Sequence, residues 1–250
     1  MTAYQIDGQP GKPWLMFSNS LGTDMSMWDA QVAFFKDDFH ILRYDTRGHG
    51  GSPALAGPTT LATLGQDVLS LLDQLEIERV HFCGLSMGGA IAQWLGIHLP
   101  QRLDKLVIAN SAPRIGTPQG WQERAAQVRA AGLNGVADGA ASRWFTPAFI
   151  AHEPQRVVAL VAALRNADAP GYANCCDALA GADLRAEISQ IAAATLLIAG
   201  ASDPVTTVAD ATAMLAHIQG SALVTLEASH ISNIEAEAAF NKALRKFLLN

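Results

Sequence analysis

Cysteine is scarce in this chain: Cys83, Cys175 and Cys176 are the only three in 250 residues, and two of them are sequence neighbours. Neither their number nor their spacing suits a disulfide framework or a zinc site, so reduced thiols in a cytoplasmic protein are expected. Charged residues are also sparse, at 16%, and their formal balance is -6. That excess of carboxylates argues against nucleic acid or an anionic membrane as partners. An anionic small molecule would need a local cation to hold it. The longest apolar run, Ile191 to Ala201, is about half of the ~20 residues that a membrane-spanning helix requires. The opening MTAYQIDGQPGK has no cationic segment followed by an apolar stretch, so no signal peptide is expected. No metal-ligand spacing is evident, and the G-x-G-x-x-G context for a dinucleotide is missing. Neither a metal nor a cofactor is expected.

What is present is a chain able to build a large core, with 50% of residues hydrophobic. Its length suits one α/β unit. Short apolar runs at Trp14–Phe17, Ile41–Tyr44, Val80–Gly84, Leu103–Ala109, Leu196–Ala199 and Ala222–Leu226 read as strands. They lack polar alternation, as strands covered on both faces do. Helical patterns lie between them. In Leu61–Gln74, for example, Leu64, Val68, Leu71 and Leu72 fall on one face. Met87–Leu99 and Ala236–Leu249 follow the same rule. Strands alternating with helices predict a mostly parallel central sheet flanked by helices.

One stretch departs from that rhythm. Residues 113–187 hold no strand pattern, whereas Trp121–Arg129, Ala140–Phe145, Pro154–Asn166 and Tyr172–Leu179 look helical, punctuated by Pro118, Pro147, Pro154 and Pro170. This predicts a helical cap inserted over the strand ends, with residues 1–112 and 188–250 forming the core.

The strongest local motif is Gly84-Leu85-Ser86-Met87-Gly88, between the strand ending at Cys83 and the helix beginning at Met87. A loose G-x-S-x-G pattern gains meaning from this context. A strand turning sharply into a helix leaves the serine on a strained tip, and small residues let the two arms approach. The competing reading is a helix-capping serine in a glycine-rich turn. A serine hydroxyl is a weak nucleophile and needs a base held by an acid. The strand Leu196–Ala199 runs into Gly200-Ala201-Ser202-Asp203-Pro204, and Ala222–Leu226 runs into Glu227-Ala228-Ser229-His230. Open α/β sheets bind ligands beyond the carboxyl ends of their strands, so Ser86, Asp203 and His230 are expected to converge there. An Asp-Pro turn and a structural histidine are the bland alternatives. The loop after Ala109 reads Asn110-Ser111-Ala112 and offers no rival carboxylate.

Attack on an ester carbonyl creates an oxyanion, which needs preset donors. The backbone N–H of Met87, just after the serine, is one candidate. The backbone N–H of Leu21, in the loop Ser18-Asn19-Ser20-Leu21-Gly22-Thr23, is the second. The segment Asp45-Thr46-Arg47-Gly48-His49-Gly50-Gly51-Ser52 reads as a structural loop held by Asp45 and Arg47. His49 has no paired acid in its context, and the segment lacks a phosphate-loop pattern.

NSLGTDMSMW, DTRGHGGS, GLSMGG, GASDP and ASHISNIE together resemble the 3-oxoadipate enol-lactonases of the β-ketoadipate pathway, from about Trp14 to the C-terminus. GLSMGG and the Asp45–Ser52 motif are widespread; NSLGT and SHISNIE are more selective, and RWFTPAF also looks like the lactonases. The resemblance implies the α/β-hydrolase fold with a helical cap inserted after the sixth strand. In that fold the chain order Ser, Asp, His is the usual one. Position by position, it makes Ser86 the nucleophile, Asp203 the acid, His230 the base, and Leu21 and Met87 the oxyanion donors. One departure is that only Ala3–Ile6 precedes the Trp14 strand, so the sheet is expected to lack the fold's first strand.

The reaction implied is hydrolysis of a small enol-lactone bearing a free carboxylate, to 3-oxoadipate. For that carboxylate the expected partner is Arg143, with Trp144 walling the ring and Arg114 as the alternative cation. A solvated arginine and a core tryptophan are the plain alternatives. Two other functions compete: a carboxylesterase or perhydrolase acting on small neutral esters through the same three residues, and a non-catalytic ligand receptor on the same scaffold.

Overall fold

A computed structural model describes residues 2–54 and 59–250. Seven strands, β1 (Tyr4–Gly8), β2 (Trp14–Ser18), β3 (His40–Tyr44), β4 (Val80–Leu85), β5 (Leu103–Ala109), β6 (Ala194–Gly200) and β7 (Ala222–Leu226), form one sheet in the order β1-β3-β2-β4-β5-β6-β7. Only β1 runs antiparallel, against β3; every other pairing is parallel. The parallel sheet read from the unalternating apolar runs is therefore present. β4, VHFCGL, is buried along its whole length at the centre. β7 is an edge strand and half exposed, although its apolar run resembles the inner strands. Composition alone does not rank a strand within its sheet.

Helices pack on both faces. The first two are α1 (Asp29–Phe35) and α2 (Leu61–Gln74), the latter opened by a capping box at Thr60 and burying Leu64, Val68, Leu71 and Leu72 as its spacing predicts. α3 (Met87–His98) is buried nearly all round because it runs beneath the middle of the sheet. Between β5 and β6 lie six α-helices and no strand among the described residues. They are α4 (Pro118–Ala131), α5 (Asn134–Asp138), α6 (Ala140–Trp144), α7 (Pro147–His152), α8 (Pro154–Arg165) and α9 (Ala169–Gly181). Proline occupies an early position in α4, α7, α8 and α9, where its missing N–H costs nothing. The ends of this segment meet, Leu184 N–H donating to Pro113 O at 2.8 Å. Counted along this chain the segment follows the fifth strand and not the sixth, because a single strand precedes β2. The chain closes with α10 (Val208–His217), α11 (Ser232–Glu235) and α12 (Glu237–Leu248). No described helix is long and apolar enough to cross a membrane.

Candidate active site

Ser86, between β4 and α3, has φ 58° and ψ -113°, a strained geometry for a residue with a side chain. The strain persists because the arms of the turn are locked together. A Cβ on Gly84 would come within 2.0 Å of Gly88 O, and one on Gly88 within 2.2 Å of Ser18 O. Ser86 N–H donates to Ala109 O at 2.9 Å, and Ser86 O accepts from Ala90 N–H and the Ser111 hydroxyl. The hydroxyl of Ser86 is thus held at the carboxyl edge of the sheet. Bare glycines are what make so abrupt a turn possible.

The loops after β6 and β7 bring Asp203 and His230 to that point. His230 Nε2 lies 2.8 Å from Ser86 Oγ, and Nδ1 lies 2.8 Å from Asp203 Oδ2. A carboxylate only accepts, so Nδ1 carries the proton and Nε2 presents a lone pair to the serine hydroxyl. All three side chains are buried, none more than 6% exposed. Burial works against a charge on Asp203, but hydrogen bonds from His230, from the Asn110 amide and from Val205 N–H outweigh it, holding its carboxyl below the ordinary value. Thr206 adds its N–H and hydroxyl to the same carboxylate. Such a chain can draw the serine proton onto an imidazole whose cationic form is stabilised by the acid.

The stretch Ser229 to Glu235 explains its selectivity in the resemblance, because several of its side chains have a distant partner. Ser232 donates to Asn110 Oδ1, and Asn110 Nδ2 donates to Asp203 Oδ2 at 3.0 Å and to Ser229 O at 3.1 Å. Asn233 Nδ2 reaches Met27 O and Gln31 Oε1. Glu235 accepts from Ser229 N–H through one oxygen and from the Thr146 N–H and hydroxyl through the other. Asn110 escaped the sequence reading, which examined its loop only for a carboxylate. An asparagine beyond a strand end facing the acid is the signal that a search for hydrogen-bond donors picks up.

The loop after β2 lies beside the elbow, Asn19 O accepting from Gly88 N–H at 3.0 Å. Among the described residues no acceptor takes the N–H of Leu21 or of Met87. Both residues are buried, and Leu21 lines the same cavity as Ser86. An oxyanion needs N–H donors that no protein acceptor already holds.

That cavity, about 420 Å³, lies between the sheet edge and the helical segment and is at the small end for a ligand pocket. Ser86, His230 and Leu21 form its floor; Trp121, Trp144 and Tyr172 are among its apolar walls. Arg143 lines it as well, half-buried, with one guanidinium nitrogen donating to Val136 O at 2.6 Å and no carboxylate partner among the described residues. Burial, and then the charge of Arg124, push its pKa down. Arg124, which the sequence reading passed over, lines the cavity too and lies over the Trp121 ring at 5.0 Å. It also has no ion pair among the described residues. Arg114, the alternative cation, points elsewhere: it faces Asp183 at 3.8 Å and is not part of the lining. Spacing along a helix did not reveal that Arg124 and Arg143, from α4 and α6, share one pocket.

Residues 15–243 match the alpha/beta hydrolase family. The chain is 51% identical to 3-oxoadipate enol-lactonase 2 of Acinetobacter baylyi, over 96% of this chain and 90% of that protein. To 3-oxoadipate enol-lactonase 1 of the same organism it is 45% identical, over 98% and 91%. Among solved structures, the enol-lactonase from Burkholderia xenovorans LB400 superposes with a TM-score of 0.98 at 43% identity, covering 100% of this chain and 96% of that one. A sheet, an elbow and a cavity of this form, together with these similarities, establish that the chain belongs to the alpha/beta hydrolase family, within the group of the 3-oxoadipate enol-lactonases.

Proposed function

We propose that this protein hydrolyses 3-oxoadipate enol-lactone, a small ring ester with a free carboxylate arm, to 3-oxoadipate, using Ser86, His230 and Asp203 as a catalytic triad. The observation that carries the reading is the pairing of two features in one cavity: the hydrogen-bonded chain Ser86–His230–Asp203 and two arginines without carboxylate partners among the described residues. Residues 113–187 act as a cap that supplies the cations, while residues 1–112 and 188–250 supply the chemistry.

Ser86 Oγ bonds to the lactone carbonyl carbon as its proton passes to His230 Nε2, and Asp203 stabilises the imidazolium. The carbonyl oxygen takes up the negative charge and accepts from the N–H groups of Leu21 and Met87. Collapse breaks the ring C–O bond; the leaving enol oxygen takes the proton from His230, and the enol then tautomerises to the ketone. The acyl group remains on Ser86. Water attacks the ester carbon, giving its proton to His230, and Ser86 leaves with that proton returned. Arg143, with Arg124 beside it, binds the carboxylate arm, and Trp144 packs on the ring.

A neutral-ester carboxylesterase or perhydrolase would use the same three residues, but two half-buried cations in its pocket would bring only desolvation cost. A receptor needs no hydrogen-bonded triad. The reading places the protein in the cytoplasm, in keeping with three free buried thiols. The test is the loss of enol-lactone absorbance with wild type and Ser86→Ala beside a panel of p-nitrophenyl esters. The lactone is expected to exceed every ester in kcat/KM, and Ser86→Ala to lose turnover by about 10⁶-fold. Wild-type turnover of Ser86→Ala would end the proposal, and a preferred neutral ester would favour the esterase.

A further inference from the structure

The Asp45–Ser52 segment is held by hydrogen bonds, as its sequence suggests: Gly51 N–H to Asp45 Oδ2 and Ser52 hydroxyl to Asp45 O within it, and a two-pronged Arg47–Asp67 pair to α2. The side chain of His49 takes part in none of these bonds. Its ring is 2% exposed and, instead of pairing with an acid, its Nε2 lies 3.0 Å from the backbone nitrogen of Gly22. A peptide N–H can only donate, so Nε2 is the bare acceptor nitrogen. The proton then sits on Nδ1, facing Arg47 O at 3.3 Å.

Gly22 follows Leu21 in a tight turn. Thr23 N–H closes it onto Ser20 O at 3.2 Å, and Gly22 has φ 81°, the form in which the third residue must be left-handed. One side of this turn is anchored to the elbow through Asn19 O and Gly88 N–H, and Asn19 Nδ2 donates to Tyr44 O. On the other side the bond to His49 engages the Leu21–Gly22 peptide. Between the anchors lies the undirected N–H of Leu21. We infer that His49 is a positioning residue for the oxyanion site, a neutral imidazole whose Nε2 holds the Gly22 peptide and so aims the Leu21 N–H. The inference rests on the reading of Leu21 as an oxyanion donor.

The surroundings keep this clamp dry and neutral. α8 and α9 close over the turn, leaving a Cβ on Gly22 2.7 Å from Leu164 Cδ1 and 3.1 Å from Tyr172 Cε2. The backbone of Gly171 in α9 meets that of Gly48, next to His49. Burial lowers the pKa of His49, working against its hydrogen bond to Arg47 O and the more distant Asp168 and Asp24. A protonated ring would turn an N–H toward the Gly22 N–H.

His49→Phe keeps a ring and removes the acceptor; His49→Gln restores an acceptor of similar reach. The readouts are kcat and KM for the lactone, and the affinity of a trifluoromethyl ketone, whose adduct with Ser86 carries an oxyanion. In His49→Phe, kcat and the ketone affinity are expected to fall together by about 10- to 100-fold, while KM stays within about threefold. His49→Gln should recover most of that loss. Unchanged kcat in His49→Phe, a loss confined to KM, or a His49→Gln no better than His49→Phe would overturn the inference. Nitrogen-15 NMR of the wild-type ring decides the case if His49→Phe does not fold: the inference requires a bare Nε2 coupled to the Gly22 amide, and a protonated Nε2 overturns it. Turnover surviving in Ser86→Ala would instead count against the triad, leaving the ring measurement untouched.

Discussion

Asn110 Nδ2 donates to Asp203 Oδ2 at 3.0 Å, the same carboxylate oxygen that lies 2.8 Å from His230 Nδ1. Asn110 stands just beyond β5 with φ 44°, a left-handed geometry that asparagine tolerates better than most residues. From there it also ties down Ser229 O, the carbonyl next to His230, at 3.1 Å. One amide therefore braces both Asp203 and the loop of His230.

Asn110→Ala should lower kcat by about 10-fold with little change in KM, because the brace orients the acid without touching substrate. It should also cost about 1–3 kcal/mol of stability by leaving buried acceptors unpaired. Steady-state kinetics beside a denaturant titration measures both. An increase confined to KM would contradict this account.

The two pocket arginines should divide substrates by charge. Arg143→Ala or Arg124→Ala is expected to raise KM for the carboxylate-bearing lactone by about 10-fold or more, the scale of a charge-assisted hydrogen bond. KM for p-nitrophenyl acetate should hardly move. Arg114→Ala, whose side chain faces Asp183 outside the cavity, should leave both constants near wild type. Equal losses on both substrates would remove the arginines from carboxylate binding.

Asp203 links the site to acid stability. Its folded pKa lies below the ordinary carboxyl value, so the ionised form stabilises the fold at pH above the unfolded pKa of about 3.9. That contribution is lost as pH falls through the depressed folded value. Asp203→Asn lacks the ionisation, so its stability should decline less steeply below about pH 4 than that of wild type. At neutral pH the variant should lose about 10⁴-fold in kcat, because the amide favours the wrong histidine tautomer. Unfolding midpoints across an acid series compare the two slopes; identical slopes would refute the linkage.

Glu235 ties the helical segment to the loop of His230. One carboxylate oxygen takes the Thr146 donors and the other takes Ser229 N–H at 2.7 Å. In Glu235→Gln one of those oxygens becomes an NH₂ facing another donor. The expected cost is about 1–3 kcal/mol, read as a lower midpoint in urea, with a fall in kcat as the loop loosens. An unchanged midpoint would mean that Glu235 does not hold the helical segment to the His230 loop.

Much of this was legible because it is local. The strand β4 and the helix α3 announce themselves by apolar runs, and Gly84 and Gly88 by a spacing that a tight strand-to-helix turn demands. Asp203 and His230 could be placed because each follows a strand whose carboxyl end must face the same edge. The run of helices between β5 and β6 was readable as a break in rhythm. What was not legible lies across the chain: Asn110, Arg124 and the His49–Gly22 contact each join residues with no shared local pattern.

Taken alone, the order of residues determined the parallel sheet, the elbow and the identity of nucleophile, acid and base candidates, since periodicity and turn chemistry act over a few neighbours. Only the tertiary structure decided which arginines enter the cavity, which amide braces Asp203, and that the buried His49 faces a backbone N–H instead of an acid. Those choices depend on distances between segments dozens to hundreds of residues apart, and packing of the whole fold sets them.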